Sequence, residues 1–317
     1  MIVPDPSFSP LLPLLHLTFF CTAQNNLVGQ LPEEIHVLDH MEVVTLKFNS
    51  GLTGRLPEGL SKMENLRLLQ LQWCDFTGTI PSWIGNAKNL ETLGLGNNRL
   101  TGTVPVEIGN LSNLQLLGLD DNDLEADIDI FHNLANLRSL YLEDNRIHGT
   151  ISEALMASWE NLQELDLSGN DLGGELPTNF FKHKNTLQVI DLHGNDFTGK
   201  FPDVGLLSKE LEFLALQDNK LTGSIPDSIV NLESLRHLDL DNNDLAHAFN
   251  ERMGEMKTLE YLFLGGNHAG TSFAFPEFVF ELTNLRELSF KGANLFKSIP
   301  DGLVLLKELE FLDLRKF

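Results

Sequence analysis

A leucine pattern that returns about every 24 residues constrains this chain more than any other feature. Two weak copies begin at Leu17 and Met41. A single coil of this length cannot bury its own leucines, whereas stacked coils share one continuous core. We therefore expect one solenoid over residues 17–317, with about twelve coils and a partial thirteenth, preceded by a separate segment at 1–16. The clear LxxLxL copies, spaced by 23 to 26 residues, begin at Leu66, Leu90, Leu114, Leu137, Leu162, Leu187, Leu211, Leu235, Leu259, Leu285 and Leu309.

The first half of each unit predicts a short strand followed by an inward turn. In LQLLGLDDNDL, Leu117 and Leu119 alternate with more exposed positions, as in a strand with one buried face. An asparagine follows the strand in ten of the twelve full units, and Cys74 and Ala293 take its place in the other two. We expect these amides to turn inward and bond the backbone of adjacent coils. The asparagines are Asn25, Asn49, Asn98, Asn122, Asn145, Asn170, Asn195, Asn219, Asn243 and Asn267.

The second half of each unit reads L-x-G-x-I-P, as in Leu221–Pro226. Glycine permits unusual backbone angles, and proline ends strand pairing and opens a helical turn. Apolar residues three apart, such as Ile229 and Leu232, then favour a short 3₁₀ or α turn. Several coils depart from this signature. Asp129, Ser152 and Asn250 replace the proline, and Ala126, His247 and Lys297 replace the glycine.

The whole unit, LxxLxLxxNxLxGxIPxxIxxLxx, resembles the plant-type leucine-rich repeat over about 300 residues. The resemblance implies an α/β solenoid, a leucine-rich repeat horseshoe or superhelix. Its concave side would carry a parallel β-sheet, with a second short strand near the glycine and 3₁₀ or α turns on the convex side. It also implies recognition of peptides, hormones, glycans or proteins, as in receptor-like kinase ectodomains and polygalacturonase-inhibiting proteins. The paired terminal cysteines usual in plant extracellular members are missing, and the sequence stops inside a repeat, which favours a fragment of a longer receptor.

The charge balance argues against nucleic acid as a partner. The chain has 22 Lys and Arg against 45 Asp and Glu, a formal net charge of −23, so its field repels phosphates and favours cationic ligands. Two cysteines do not make a disulfide framework. No apolar run reaches the roughly 20 residues of a transmembrane span. The apolar stretch Leu11–Phe20 is read either as part of a secretory leader or as an ordered N-terminal cap.

Acidic residues concentrate on the exposed face of the strands. The six repeats that begin between Leu114 and Leu235 offer 24 exposed strand positions, of which ten are acidic and none is Lys or Arg, against about three expected from composition. Tyrosine, phenylalanine and histidine lie beside them, a combination that suits a cationic peptide or a glycan. The alternative is that the carboxylates only keep the face soluble. The candidate binding residues are Asp120, Asp121, Tyr141, Glu143, Asp144, Glu164, Asp166, Asp191, His193, Phe213, Asp218, His237, Asp239, Asp241, Tyr261 and Phe263.

Other chemistry receives weaker support from the sequence. Ser168, His193 and Asp191 make a nominal catalytic set, but on an open, solvated sheet without an oxyanion hole. The histidines lack metal-ligand spacing, so we expect no metal and no cofactor. Cys74 suits a small buried filler. The sequon at Asn110 is a weak glycosylation signal.

A two-residue insertion in the coil at 268–276 raises a separate question about the surface. This segment carries Phe273 and Phe275. Insertions in solenoids map to loops, so the two rings either extend the aromatic surface near Tyr261 and Phe263 or turn inward to fill a widened coil.

These observations favour a non-catalytic recognition module that is secreted or forms the ectodomain of a membrane receptor. Its partners are expected to be protein, peptide or glycan ligands, preferentially cationic. The alternative is a structural or adhesion repeat protein that acts by end-to-end or lateral self-association.

Overall fold

The computed structural model describes residues 17–178, 180–181, 186–204, 209–246, 250–267, 273–292, 295–296 and 300–315. The chain divides into two compact units, with the boundary between Arg146 and Ile147. Both units are built from the same coil: a three-residue strand, a turn, a second short strand and a helical turn. The predicted solenoid of leucine-rich repeat type is confirmed.

The first strand of each coil, here called the primary strand, pairs in parallel with the equivalent strand of the next coil. In the first unit the primary strands are Phe19–Cys21, Val43–Thr45, Leu68–Gln70, Thr92–Gly94, Leu116–Gly118 and Ser139–Tyr141. In the second unit they are Glu164–Asp166, Val189–Asp191, Phe213–Ala215, His237–Asp239, Tyr261–Phe263, Glu287–Ser289 and Phe311–Asp313. Within each unit they follow chain order, so equivalent side chains form rows.

A second set of short parallel strands forms near the glycine that recurs in the repeat units, as the resemblance implies. The members are Val28–Gln30, Gly51–Gly54, Asp75–Gly78, Arg99–Thr103, Asp123–Asp127, Arg146–Gly149, Asp171–Glu175, Asp196–Thr198, Thr222–Gly223, Asp244–Leu245, Phe273–Ala274 and Leu295–Phe296. Gly223 has φ +78°, in the left-handed region where a side chain is strained, which explains why the unit carries glycine there.

Short helical turns close the coils, as the apolar spacing predicts. The 3₁₀ helices are Glu33–Val37, Glu58–Lys62, Ser82–Asn86, Val106–Asn110, Ile128–Phe131, Asp227–Asn231, Glu251–Glu255, Glu277–Glu281 and Asp301–Leu305, and the α-helix is Glu153–Ser158. A proline directly precedes most of them, for example Pro226 with φ −70°. Its fixed φ suits the entry to a helical turn.

Coils that lack the proline use a side-chain cap instead. The hydroxyl of Ser152 accepts a hydrogen bond from the backbone N–H of Leu155 at 3.0 Å. The amide oxygen of Asn250 accepts one from the N–H of Arg252 at 2.9 Å. In the coil that begins at Leu114 the cap is Asp127, two residues before Asp129 at the proline position, because the helix begins two residues earlier than in the proline coils.

The inward asparagine ladder is confirmed. The amide of Asn243 donates to the carbonyl oxygens of Leu216 at 2.9 Å and Leu240 at 3.3 Å, and its oxygen accepts from the N–H of Leu221 at 2.9 Å. Asn243 is almost fully buried. Its side chain therefore satisfies backbone groups of two adjacent coils that the turn would leave unpaired.

Two positions of the ladder differ from the repeat pattern. The prediction that Asn25 turns inward is wrong: its side chain is exposed and donates only to nearby Thr22 and Ala23. In the described chain its coil has a neighbour on one side only, so there is little to bury it. Cys74 is a buried filler, as expected, and its thiol contacts the carbonyl oxygen of Leu46 at 3.4 Å.

The widened coil at 268–276 is described only in part. The ring of Phe275 stacks on Phe280 at 5.5 Å and meets the buried Phe290 edge-on at 5.5 Å. It therefore fills the coil, and the alternative in which Phe275 extends the exposed aromatic surface is wrong. The side chain of Phe273 lies outside the described part of the chain, as do His247, Ala293, Lys297 and residues 1–16.

Candidate binding face

Four rings pack together on the exposed side of the primary strands in the second unit. Phe213, His237 and Tyr261 are register partners on three successive strands, and Phe263 lies two residues after Tyr261. The rings of Phe213 and His237 stack with centroids 4.3 Å apart, and His237 lies 5.6 Å from Tyr261 and 5.5 Å from Phe263. We call these four residues the aromatic cluster. Each is half-buried, so the cluster presents ring surface to solvent.

A row of small and acidic residues runs beside the aromatic cluster. Asp191, Ala215 and Asp239 are register partners on adjacent strands, and Asp166 pairs with Asp191 on the preceding strand. Ala215 is fully buried because its short side chain does not rise above the sheet. With strands about 4.8 Å apart, the carboxylates of Asp191 and Asp239 stand on either side of a shallow depression over Ala215.

The carboxylates of this region influence one another. Besides desolvation, which is the largest cause, repulsion from Asp241, Asp218 and Asp191 raises the pKa of Asp239, and repulsion from Asp218 raises that of Asp241. We call Asp166, Asp191, Asp218, Asp239 and Asp241 the acidic cluster. Within the described part of the chain, Asp191, Asp239 and Asp241 form no ion pair with a lysine or arginine. The flanking Glu260, by contrast, pairs with Arg236 at 2.8 Å.

Burial makes part of the acidic cluster reluctant to ionise. Desolvation is the main cause that raises the pKa of Asp239 to about 7 and that of Asp241 to about 6. Desolvation also lowers the pKa of His237 to about 4, so that ring is neutral near pH 7. A cation bound over Ala215 would relieve the repulsion among these carboxylates and favour their charged forms.

Several of the acidic side chains also have a structural role. The carboxylate of Asp239 accepts the backbone N–H of Asp241 at 2.9 Å, and that of Asp191 accepts the N–H of His193 at 3.1 Å. Asp166 does the same for Ser168 at 3.0 Å. Each aspartate therefore fastens the chain where it leaves the strand. These aspartates therefore have a structural role besides keeping the face soluble. Each bond uses one carboxylate oxygen, so the second oxygen is available to other partners.

The nominal catalytic residues do not form a relay. The hydroxyl of Ser168 donates to Asp166 at 2.7 Å, within its own strand. The ring of His193 is held by Asp191, with Nδ1 2.8 Å from the carboxylate, and this contact raises the pKa of His193. The structure therefore pairs each of the two residues with its own aspartate, rather than serine with histidine.

The remaining candidates lie on other rows or in the first unit. Glu164 is the register partner of Val189, one row away from the acidic cluster. In the first unit, Asp120 holds the side-chain amide of Asn97 at 2.7 Å, and Tyr141 and Glu143 are half-buried. Asp121 and Asp144 are exposed at turn positions with φ +48° and +52°. Their acidic character therefore has a local cause, because aspartate tolerates left-handed backbone.

Sequence reasoning missed an exposed aromatic pair in the first unit. Phe48 and Trp73 are 41% and 53% exposed, and their rings stack with centroids 5.8 Å apart. Both occupy the turn position directly before the buried asparagine ladder, where neighbouring coils carry Gln24 and Asn97. The 24-residue alignment places them in one row, so an aromatic count along that row would have found them.

Among the described residues, no helix is long and apolar enough to cross a membrane. In the same part of the chain, no group of three or more His, Cys, Asp or Glu residues is arranged to hold a metal ion. Asn110, the sequon residue, ends a 3₁₀ helix and is exposed.

Comparison with known families identifies the class of protein. A leucine-rich repeat region model matches residues 5–180, and a leucine-rich repeat model matches 185–245 and 209–269. The chain belongs to the leucine-rich repeat family. A comparison with curated proteins gave no significant match.

Solved structures of this family are similar to the chain over most of its length. The plant peptide hormone receptor RGFR1 in complex with RGF2 is 30% identical, with a TM-score of 0.77 over 92% of this chain and 50% of that one. The ectodomain of the Arabidopsis thaliana receptor kinase GASSHO1/SCHENGEN3, in complex with CASPARIAN STRIP INTEGRITY FACTOR 2, is 28% identical, with a TM-score of 0.76 over 95% and 42%. A leucine-rich repeat protein of Leptospira interrogans is 29% identical, with a TM-score of 0.73 over 100% and 83%. The chain thus spans about half the length of the receptor ectodomains.

Proposed function

We propose that the chain is a non-catalytic recognition module that binds a basic peptide segment on the exposed face of the primary strands in its second unit. One observation carries the proposal: Asp191 and Asp239 flank the depression over Ala215, directly beside the aromatic cluster. An arginine or lysine seated there would meet carboxylates on two sides and aromatic rings on a third. Charge-assisted hydrogen bonds and cation–π contacts would then act together.

The position of the depression suits an extended ligand. Register partners in successive coils place Phe213, His237 and Tyr261 in one row and Asp191, Ala215, Asp239 and Phe263 in the adjacent row, so a peptide lying across the strands would meet both rings and carboxylates. Gln217 lies two residues after Ala215 in the same coil. Its side-chain oxygen is buried and has no hydrogen-bond partner. A ligand N–H would satisfy it. The receptor structures similar to this chain are described in complex with a peptide hormone or another named factor, which supports the same class of ligand here.

We place the module outside the cell, as a secreted protein or as the ectodomain of a receptor. The similarity to plant receptor ectodomains and the exposed sequon at Asn110 support this placement. Expression through a eukaryotic secretory pathway should add one glycan that Asn110→Gln removes, measured by intact mass. A protein that leaves the cell without a glycan at Asn110 would remove this support.

The ligand class can be tested with peptides that differ only in charge. A panel of twelve-residue peptides with net charges from strongly positive to strongly negative should bind in order of positive charge, and affinity should fall as salt rises, by isothermal titration calorimetry. Arginine peptides should bind more tightly than lysine peptides, because guanidinium stacks on rings and forks onto carboxylates. Equal affinity for neutral and basic peptides would contradict the proposal. Growth of the particle with concentration in light scattering would favour self-association instead.

A further inference from the structure

The stacked rings of Phe48 and Trp73 are held where the backbone makes bulky side chains costly. Phe48 has φ +61° and Trp73 has φ +58°, in the left-handed region that suits glycine, asparagine and aspartate. The equivalent turn positions in other coils carry Gln24, Asn97 and Asp121. Two adjacent coils therefore carry strained, solvent-facing rings although the fold accepts small polar residues there. Strain of this kind that persists at the surface points to a binding role.

The surroundings of the pair are polar but almost uncharged. The primary-strand position carries Thr45 and Gln70 in these two coils and Gly94 in the next coil. The following row carries Lys47 and Gln72 in these two coils, then Gly96, over which the carboxylate of Asp120 from the coil beyond lies. In these rows the coils of Phe48 and Trp73 thus offer amides and hydroxyls but no carboxylate, in contrast to the acidic cluster of the second unit. Lys47 beside the pair disfavours a cationic ligand, and the net charge of −23 disfavours a polyanion.

An unsatisfied acceptor belongs to Gln72, the residue directly before Trp73. The side-chain amide of Gln72 packs over Gly94, where even one added methyl group would overlap it. Its oxygen is buried and has no hydrogen-bond partner. The Gln72 side chain as a whole is half-buried, so an outward turn of its amide would let a ligand hydroxyl bond this oxygen and satisfy it. The backbone around it is fixed, since the N–H groups of Phe48 and Trp73 bond the carbonyl oxygens of Gln72 and Gly96 at 2.9 and 3.1 Å.

We infer that Phe48, Trp73 and Gln72 form a second ligand site that takes a neutral oligosaccharide. A pyranose ring combines an apolar face of C–H groups with hydroxyls at its rim. The face would stack on Trp73, and a hydroxyl would donate to the oxygen of Gln72. This site lies wholly in the first unit and is independent of the proposed peptide site.

The test uses the full chain and six-unit glucan, xylan and mannan oligosaccharides, followed by calorimetry and by tryptophan fluorescence. At least one of these oligosaccharides should bind saturably, with a dissociation constant below roughly 10 mM. Trp73→Asn, which installs the residue of the next coil, should lower that affinity about tenfold, and Phe48→Gly should also weaken it. Phe311→Ala, at an exposed ring in the second unit, should leave it unchanged.

Each other outcome overturns the inference. If none of the three neutral oligosaccharides binds saturably, the inference is wrong. It is also wrong if Trp73→Asn binds with the affinity of wild type while its unfolding midpoint is unchanged. Tighter binding of a galacturonic acid oligomer or of a basic peptide at the pair would assign it a different ligand. The two sites share no residue. A negative result with oligosaccharides therefore does not affect the basic-peptide proposal, and a negative result with peptides does not affect the oligosaccharide site.

Discussion

At the scale of single residues, burial decides what the carboxylates of the binding face can do. Asp239 has its pKa raised to about 7, chiefly by desolvation, whereas an unfolded aspartate ionises near pH 4. Between these values the unfolded chain has lost a proton that the native chain still holds. This group therefore contributes stability that falls as pH rises from about 4 to about 7.

Asp239→Asn should remove that pH dependence. The amide oxygen of asparagine can still accept the N–H of Asp241, so the bond that fastens the strand end is kept while the charge is lost. The variant should be close to wild type near pH 4, increasingly more stable than wild type up to about pH 7, and more stable by a constant amount above that, in chemical unfolding at each pH. A stability difference that shrinks as pH rises would show that the carboxylate is stabilising when charged.

The buried asparagine ladder makes a second residue-scale prediction. Asn243→Ala leaves the N–H of Leu221 and the carbonyl oxygen of Leu216 without their partner in the interior. Unpaired buried groups cost about 1–3 kcal/mol each, so we expect a loss of roughly 3 kcal/mol in the free energy of unfolding. Asn25→Ala, at the exposed copy of the same position, should cost under about 1 kcal/mol. Equal losses would mean that the ladder bonds contribute little.

At the scale of elements, each coil needs some device to start its helical turn, and the device differs between coils. Proline serves in most, while Ser152 caps the α-helix Glu153–Ser158 through its hydroxyl. The repeat alignment locates the positions without proline, but it does not show that a capping bond replaces it. In the coil where Asp129 replaces the proline, the capping carboxylate belongs to Asp127 instead.

Ser152→Ala should lower stability by about 1 kcal/mol, because the N–H of Leu155 loses its acceptor. Ser152→Asp keeps an acceptor and adds a negative charge at the helix N-terminus, so it should match or exceed wild type. Urea unfolding measures both, and hydrogen exchange over 153–158 localises the effect. An alanine variant as stable as wild type would show that packing alone holds this helix.

The sequence predicts the elements well because the 24-residue spacing and the side-chain alternation act locally. The rows of the strand face follow directly, and so do the buried leucines and the inward Asn243. The sequence does not predict which exposed side chains touch. The stack of His237 on Phe213, the loss of its charge, and the separate aspartate partners of Ser168 and His193 all depend on rotamers and burial. The stack of Phe48 on Trp73 is also not evident from the repeat pattern, because it forms between turn residues of two coils and not between strand positions.

At the scale of the whole molecule, net charge and local charge give different information. A net charge of −23 attracts any cation, whereas a binding site requires that particular carboxylates matter more than others. The charged residues beside the primary strands illustrate the difference. Glu260 pairs with Arg236 and Arg286, whereas, among the described residues, Asp191 and Asp239 beside Ala215 pair with no lysine or arginine, and Asp191 pairs only with the ring of His193. Affinity for a basic peptide should therefore depend on where a charge is removed.

The most direct test compares two variants of equal net charge. One carries Asp191→Asn, Asp239→Asn and Asp241→Asn. The control carries the same change at three exposed aspartates away from the primary strands, Asp171, Asp227 and Asp244. With the tightest basic peptide of the panel at pH 8, calorimetry should show at least a tenfold loss of affinity for the first variant, about 1.4 kcal/mol or more, and less than a threefold loss for the control. Equal losses of affinity in the two variants would mean that the peptide responds only to the net charge of the chain, which would contradict binding at the carboxylates around Ala215.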